Sequence, residues 1–418
     1  VPSPFNIDAA IDALQHELFS LLREIIAIPS ISGDESRVVE LLARFASASG
    51  LAADMWCATD RELVDAFGAL PAHKPFQSRP TLVLTLPGTI RGRSLIFNAH
   101  SDVVSPGNLA AWSCDPWNGG VRDGAILGRG ACDDKGPLVA ALWAMLALRD
   151  SAAPLSDIHF EIVPGEEDCV GLGTMTSILR GYRADAAIVL EPTQGVPRCA
   201  SRGGLRFKIT ITGRAVHGTV KWLGVDAISI ARDVMSTCDS MQNEWNDRGA
   251  DPLFASFPFA RPITIDHVAG GEWQGMVCDR CTIAGYLELL PGDDLDEWAT
   301  RFRDEVVGRA GVGRTQPVDL QVDFPERYPG HRTSPDSEFA RTISRTLASD
   351  PHAWSGFNSG CEAGVRAARH STPTVVWGPG DLAQAHAPDE RVSLSDVRRA
   401  ARDFAVVASH WCSTKDSQ

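Results

Sequence analysis

Five short, continuously apolar runs constrain this chain most: Thr81–Leu86, Leu95–Ala99, His159–Val163, Ala186–Leu190 and Thr374–Trp377. A strand with one face in water alternates apolar and polar residues. These runs have no polar face, so they fit strands covered on both sides, as in a mostly parallel sheet between helices. The stretches between them carry a helical period, as at Pro137–Leu148 and Gly173–Leu179. Ahead of them, Ile11, Leu14, Leu18 and Leu22 recur at helical spacing across residues 7–28, until Ile28-Pro29-Ser30-Ile31-Ser32-Gly33 breaks the pattern; a second helix is predicted around Glu35–Ala48. Alternation of strand and helix predicts a three-layer α/β domain.

Residues 204–325 have another texture. Leu205–Ile211 alternates apolar and polar, a half-exposed strand, and is followed by a helix pattern at Val225–Asn243. Cys281–Leu290 reads as a strand, Asp294–Val307 as a helix and Val318–Phe324 as an alternating strand. A β-α-β-β-α-β order predicts a small α+β, ferredoxin-like layer pair of one antiparallel sheet and two helices. It is an insertion, because candidate site residues lie on both sides of it. Segments 1–203 and 326–418 then make one domain and 204–325 the other, and 418 residues suffice for both.

In α/β sheets, ligands gather beyond the carboxyl ends of the strands. His100 follows one apolar run, Glu166 and Glu167 follow another, Glu191 ends a third, and His386 lies in the loop beyond a fourth, past Gly378-Pro379-Gly380. Asp133 sits in Gly128-Arg129-Gly130-Ala131-Cys132-Asp133-Asp134-Lys135-Gly136-Pro137, a glycine-rich turn whose proline suits the first turn of a helix. Taken singly, each has a plainer reading: a core histidine, a helix cap, a solvated acidic loop. Together, His100, Asp133, Glu167, Glu191 and His386 supply two imidazoles and three carboxylates, a ligand set for a pair of divalent ions. Two such ions carry four positive charges and three carboxylates cancel three of them; the remaining charge is what makes water a nucleophile at neutral pH. Asp102, two residues after His100 and on the same side of an extended chain, is assigned to accept the other ring N–H of that histidine and fix its tautomer. Of the adjacent acids, Glu167 is assigned to metal and Glu166 to proton transfer, since neighbouring carboxylates push one pKa up. The set calls for one or two divalent ions per subunit; zinc suits it, and manganese and cobalt are also accommodated.

Charge and composition remove other classes. A net charge of −14 disfavours nucleic acid and anionic membranes, which call for basic patches. No stretch approaches a membrane span. The segment VPSPFNIDAAIDALQHELFSLL lacks the basic and apolar regions of a signal peptide. Ten cysteines at irregular spacing, in a chain too long to need disulfide staples, read as reduced and place the protein in the cytoplasm. Cys278 and Cys281 form a lone CxxC without a second pair and read as strand residues, not a zinc site. The remaining partner is a small-molecule substrate.

The segments His100-Ser101-Asp102, Gly128 through Gly136, Gly165-Glu166-Glu167, Leu190-Glu191-Pro192-Thr193 and Gly378 through Glu390 together resemble the acetylornithine deacetylase / succinyl-diaminopimelate desuccinylase / carboxypeptidase G family of co-catalytic metallohydrolases. Asp115-Pro116-Trp117 and Leu289-Leu290-Pro291-Gly292 add to it, and Cys361-Glu362-Ala363 points to the acetylornithine deacetylase branch. The resemblance implies a catalytic domain with the insertion as lid and dimerisation domain, hence a homodimer. It implies that Asp133 bridges two metals, one also held by His100 and Glu191 and the other by Glu167 and His386, that Glu166 is general base and then acid, and that the Asp133–Asp134 peptide is cis. His217, in Gly213-Arg214-Ala215-Val216-His217-Gly218, matches the family's lid histidine, which reaches across the dimer to an oxyanion. The chain departs from the family where many relatives carry a carboxylate-gripping arginine: here the corresponding positions are Tyr286 and Glu288, the latter read as either a substrate-site change or a solvent-facing strand residue. Arg206, Arg280 or Arg332 would then have to supply the clamp, or the substrate is not a simple N-acyl amino acid. The expected activity is hydrolysis of a small linear amide, with release of ammonia from an aromatic amine at the same site as the alternative.

Overall fold

The computed structural model describes residues 6–67, 75–151, 154–247, 249–310 and 318–413. The first five residues of the segment read for a targeting signal lie outside them. The chain forms two compact units, one of Val1–Ala200, His331–Phe357 and Cys361–Gln418, the other of Ser201–Gly330 with Asn358–Gly360.

The first unit is built on a six-stranded sheet. Its order is Ala52–Cys57, Pro80–Leu86, Ile158–Val163, Leu95–His100, Ala186–Val189, Thr374–Val376. The last four strands are parallel to one another, whereas Ala52–Cys57 and Pro80–Leu86 pair antiparallel. The sheet is therefore mixed: three of its five pairings are parallel, in line with the expectation of a mostly parallel sheet, and Pro80–Leu86 runs against its neighbours. That one reversal was not readable in advance, because a continuous apolar run reports burial on both faces and carries no information about direction. Ala52–Cys57 was not read from the sequence because it is an exposed edge strand with no buried position.

Every residue of Leu95–His100 is buried, so helices cover both faces. The helix Gly136–Arg149 is buried from Gly136 to Leu148, an all-round apolar helix that can sit only inside a core. Its Trp143 meets Phe19 edge-on at 5.3 Å and donates its indole N–H to the Ile11 carbonyl at 3.0 Å. That bond satisfies the one polar atom the ring carries. The C-terminal helix Leu394–Cys412 packs Phe404 against Trp377 and Phe97, at 4.8 and 5.6 Å between ring centres. Asn6 opens the first helix, Ile7–Ile26, by accepting the Ala9 amide at 3.2 Å.

The four parallel strands end at one edge. His100 stands in register with Val163, and Asn98 with Val189. Residues 164–167 and 190–191 therefore emerge beside His100.

The second unit holds Gly203–Thr212, Ala227–Glu244, Ile263–Gly270, Arg280–Leu289, Leu295–Ala310 and Asp319–Tyr328, a β-α-β-β-α-β order. Its sheet is antiparallel throughout, ordered Ile263–Gly270, Arg280–Leu289, Gly203–Thr212, Asp319–Tyr328. Leu205, Phe207, Ile209 and Ile211 alternate inward onto the helices, with Phe207 and Phe302 at 4.6 Å. Asp226 caps Ala227–Glu244 by accepting from the Ile228 amide at 3.1 Å. Cys278 and Cys281 are buried free thiols; among the described residues no metal-type cluster includes them. No described helix is long and apolar enough to cross a membrane.

Candidate metal centre

His100 is the last residue of its strand and is 1% exposed. Its Nε2 lies 2.9 Å from Asp133 Oδ1, and its Nδ1 faces the Asp102 main-chain carbonyl at 3.0 Å. The other oxygen of Asp133 is 3.6 Å from His386 Nε2, which in turn is 3.2 and 3.0 Å from the two Glu167 oxygens. Asp133 thus turns one oxygen to each histidine. Ligand atoms of His100, Asp133 and Glu167 all lie within 4.8 Å of one another. Donors on one tetrahedral ion, with bonds of about 2.1 Å, sit roughly 3.4 Å apart, so this spacing suits one cation or two neighbouring cations that share Asp133.

Glu191, two residues beyond its strand, is buried but lies outside that tightest group. Burial pushes its carboxyl well up, and the charges of Asp133 and Glu166 add to this. Burial likewise pushes Glu166 well up, reinforced by Glu167 and Asp133 and opposed by His100. Burial opposes charge on His386, yet Glu167 and Asp133 outweigh it and lift its pKa to about 9. Asp133, Asp134, Glu166, Glu167 and Glu191 therefore crowd around two imidazoles in a largely buried space. So many acids cannot ionise together there without cations among them. Oxygen and imidazole donors without thiolate fit divalent ions such as zinc, manganese or cobalt.

The loops that carry these ligands are pinned by further buried acids. Asp102 does not hold the His100 ring with its carboxylate, as the sequence had suggested: that oxygen is 3.7 Å from Nδ1, beyond hydrogen-bond reach. It accepts instead from Ser32 Oγ at 2.7 Å and from the amides of Gly165, Glu166 and Glu167 at 2.8, 3.1 and 3.2 Å. Burial works against the ionised form, but His100, Arg79 and Ser32 hold the Asp102 carboxyl down at about 2. Arg79 grips the same loop from beyond, bonding Glu35 Oε1 at 2.6 Å and Asp168 at 2.9 Å. Gly165 is required there: its φ is 80°, and a Cβ would lie 2.9 Å from Arg79 Nη2. Glu362 accepts the Gly171 and Thr174 amides, each at 3.0 Å, and Glu390 takes the amides of Gly130, Cys132 and Asp133. Sequence reasoning gave none of Arg79, Glu362 or Glu390 a role. The only signal was that the two glutamates fall inside motif segments. The Asp133–Asp134 peptide is cis.

His217 and Glu288 belong to the second unit. His217 is exposed, in the turn after Gly203–Thr212, with Nδ1 2.8 Å from Thr219 Oγ1. Glu288 is buried, not solvent-facing, and accepts from Tyr328 Oη at 2.8 Å; burial raises its pKa to about 7. Arg206 is engaged by Glu326 at 3.0 Å and Asp266 at 3.5 Å.

Residues 96–410 match Peptidase family M20/M25/M40. The chain is 23% identical to the N-formyl-4-amino-5-aminomethyl-2-methylpyrimidine deformylase of Halalkalibacterium halodurans, over 97% of this chain and 96% of that protein. It is 26% identical to the acetylornithine deacetylase of Pectobacterium carotovorum, over 94% and 97% respectively. Its fold matches a dipeptidase from Saccharomyces cerevisiae with a TM-score of 0.76 at 15% identity, covering 98% of both chains.

Proposed function

This chain belongs to Peptidase family M20/M25/M40 and is a hydrolase of carbon–nitrogen bonds, and from that premise we propose that it cleaves a small linear amide at the His100–Asp133–Glu167–His386 cluster. The observation that carries the proposal is the position of Asp133, with Oδ1 2.9 Å from His100 and Oδ2 3.6 Å from His386. His100 and Glu191 would hold one divalent ion and Glu167 and His386 the other, with Asp133 shared; zinc is the favoured metal. Such ions, when bound, polarise a carbonyl and lower the pKa of water. Glu166, buried among acids that divalent ions would allow to ionise, would as a carboxylate take the proton of the attacking water and deliver it to the departing nitrogen as the C–N bond breaks. Asp102 and Arg79 keep Glu166 and Glu167 in place through the loop backbone. The second unit would serve as lid and dimerisation domain, with His217 stabilising the oxyanion in a partner copy.

The substrate is narrowed by Glu288. A buried acid cannot grip a carboxylate as an arginine does, and Arg206 is already occupied. This favours an N-acyl or N-formyl compound without a carboxylate at that point, closer to the deformylase than to the acetylornithine deacetylase. Release of ammonia from an aromatic amine is not favoured, because both curated relatives are named for removing an acyl group. Metal-loaded protein should be screened against N-formyl amines, N-acetyl amino acids, dipeptides and arylamines. Acid release from an amide supports the proposal, and turnover of arylamines alone would overturn it.

A further inference from the structure

Glu390 stands four residues after His386 and is 1% exposed. Its Oε1 accepts the amides of Cys132 and Asp133 at 2.9 and 3.1 Å, and its Oε2 accepts the Gly130 amide at 3.0 Å and Arg129 Nη1 at 2.6 Å. The Gly128 amide donates to its main-chain carbonyl at 2.9 Å, and the next three residues, Arg391–Ser393, pair with Ala125–Leu127. One segment therefore carries an imidazole of the cluster and, within a few residues, grips the loop that carries the aspartate between the two imidazoles. Neutralising Arg129 would require only one contact. Three more are spent on amides of a single turn, including that of Asp133 itself.

We infer that Glu390 is a positioning residue for the metal centre: it fixes the Asp133 backbone so that the carboxylate spans His100 and His386, and so sets cation affinity. The inference rests on the metal reading of those three residues. Outer partners that orient a ligand are typically worth about 10–100-fold in metal affinity. Glutamine at 390 keeps the shape but replaces an acceptor oxygen with an NH2 that cannot receive an amide N–H. Methionine at 129 removes the same ion pair and leaves the amide contacts in place.

The test is zinc titration of chelator-stripped protein in competition with a chromophoric chelator, together with thermal midpoints of the same stripped proteins. Glu390→Gln is expected to bind zinc about 10–100-fold more weakly at one site or more, and Arg129→Met to stay within about threefold of wild type despite a comparable fall in midpoint. Glu390→Gln within threefold of wild type, or equal weakening in both variants, overturns the inference while leaving the metal reading intact. A wild-type protein that binds no zinc, manganese or cobalt overturns both. If Glu390→Gln does not fold, Glu390→Asp, which keeps the charge but is too short to reach all four donors, takes its place under the same criteria.

Discussion

His100 ends a strand whose six residues are all buried, and both its ring nitrogens have partners, at 2.9 and 3.0 Å. His386 stands on a loop at φ 60°, with a side chain 54% exposed and its contacts confined to one nitrogen. The same contrast separates Glu191, just past a buried strand, from Glu167, in a loop held by Asp102 and Arg79. One half of the centre is delivered by the sheet: register alone brings its ligands to a common edge. The other half lies farther along its loops from the strand ends, and buried carboxylates bonded to loop amides hold it. A charge-assisted acceptor is stronger than a neutral one, which makes a few acids enough to fix an irregular turn.

The largest expected effect would come from the group both halves face. Glu166→Gln should lower turnover by roughly 10²–10⁴-fold while metal content stays at the wild-type value; unchanged turnover would remove Glu166 from proton transfer. Next, the two histidines should fail differently. His100→Ala leaves a buried void and uncompensated acids, and should cost on the order of 2–4 kcal/mol of stability as well as metal. His386→Ala should lose one ion per chain and destabilise the metal-free protein less than His100→Ala does, because its side chain is 54% exposed and leaves no buried void, although Glu167 and Asp133 lose their partner. Equal destabilisation, read from denaturant melts of stripped protein, would break the comparison. His217→Ala should slow turnover about tenfold or more with full metal content; no change would mean that this histidine does not reach the reaction.

An effect on stability alone lies away from the centre. Glu288 is held near pKa 7 in the fold, above the ordinary 4.5, so it favours the fold below pH 4.5 and that stability drains away as pH rises through 7. Glu288→Gln should therefore gain on wild type between pH 5 and 8, by up to about 3 kcal/mol in thermal or denaturant melts. A flat difference across that range would show that the acid is not neutral when buried.

Much of the centre was legible because strand ends are local events. An apolar run followed by His100, by Glu166-Glu167 or by Glu191 declares both the strand and its ligand. Strand direction was not legible, since burial of Pro80–Leu86 is the same whichever way it runs. Nor was the bonding of Asp102: spacing placed it beside His100, but only the fold shows its carboxylate turned to the 165–167 amides. Glu390 lies 260 positions from the Gly130 amide it accepts, and no local pattern links the two. Side chains that bond a distant backbone leave no periodicity to read.

Anomalous scattering from crystals grown with zinc would test the central claim most directly. Two peaks are expected at one site, with Asp133 between them, His100 and Glu191 on one, and Glu167 and His386 on the other. Zinc bound elsewhere, with His100 and His386 touching none, would contradict the account.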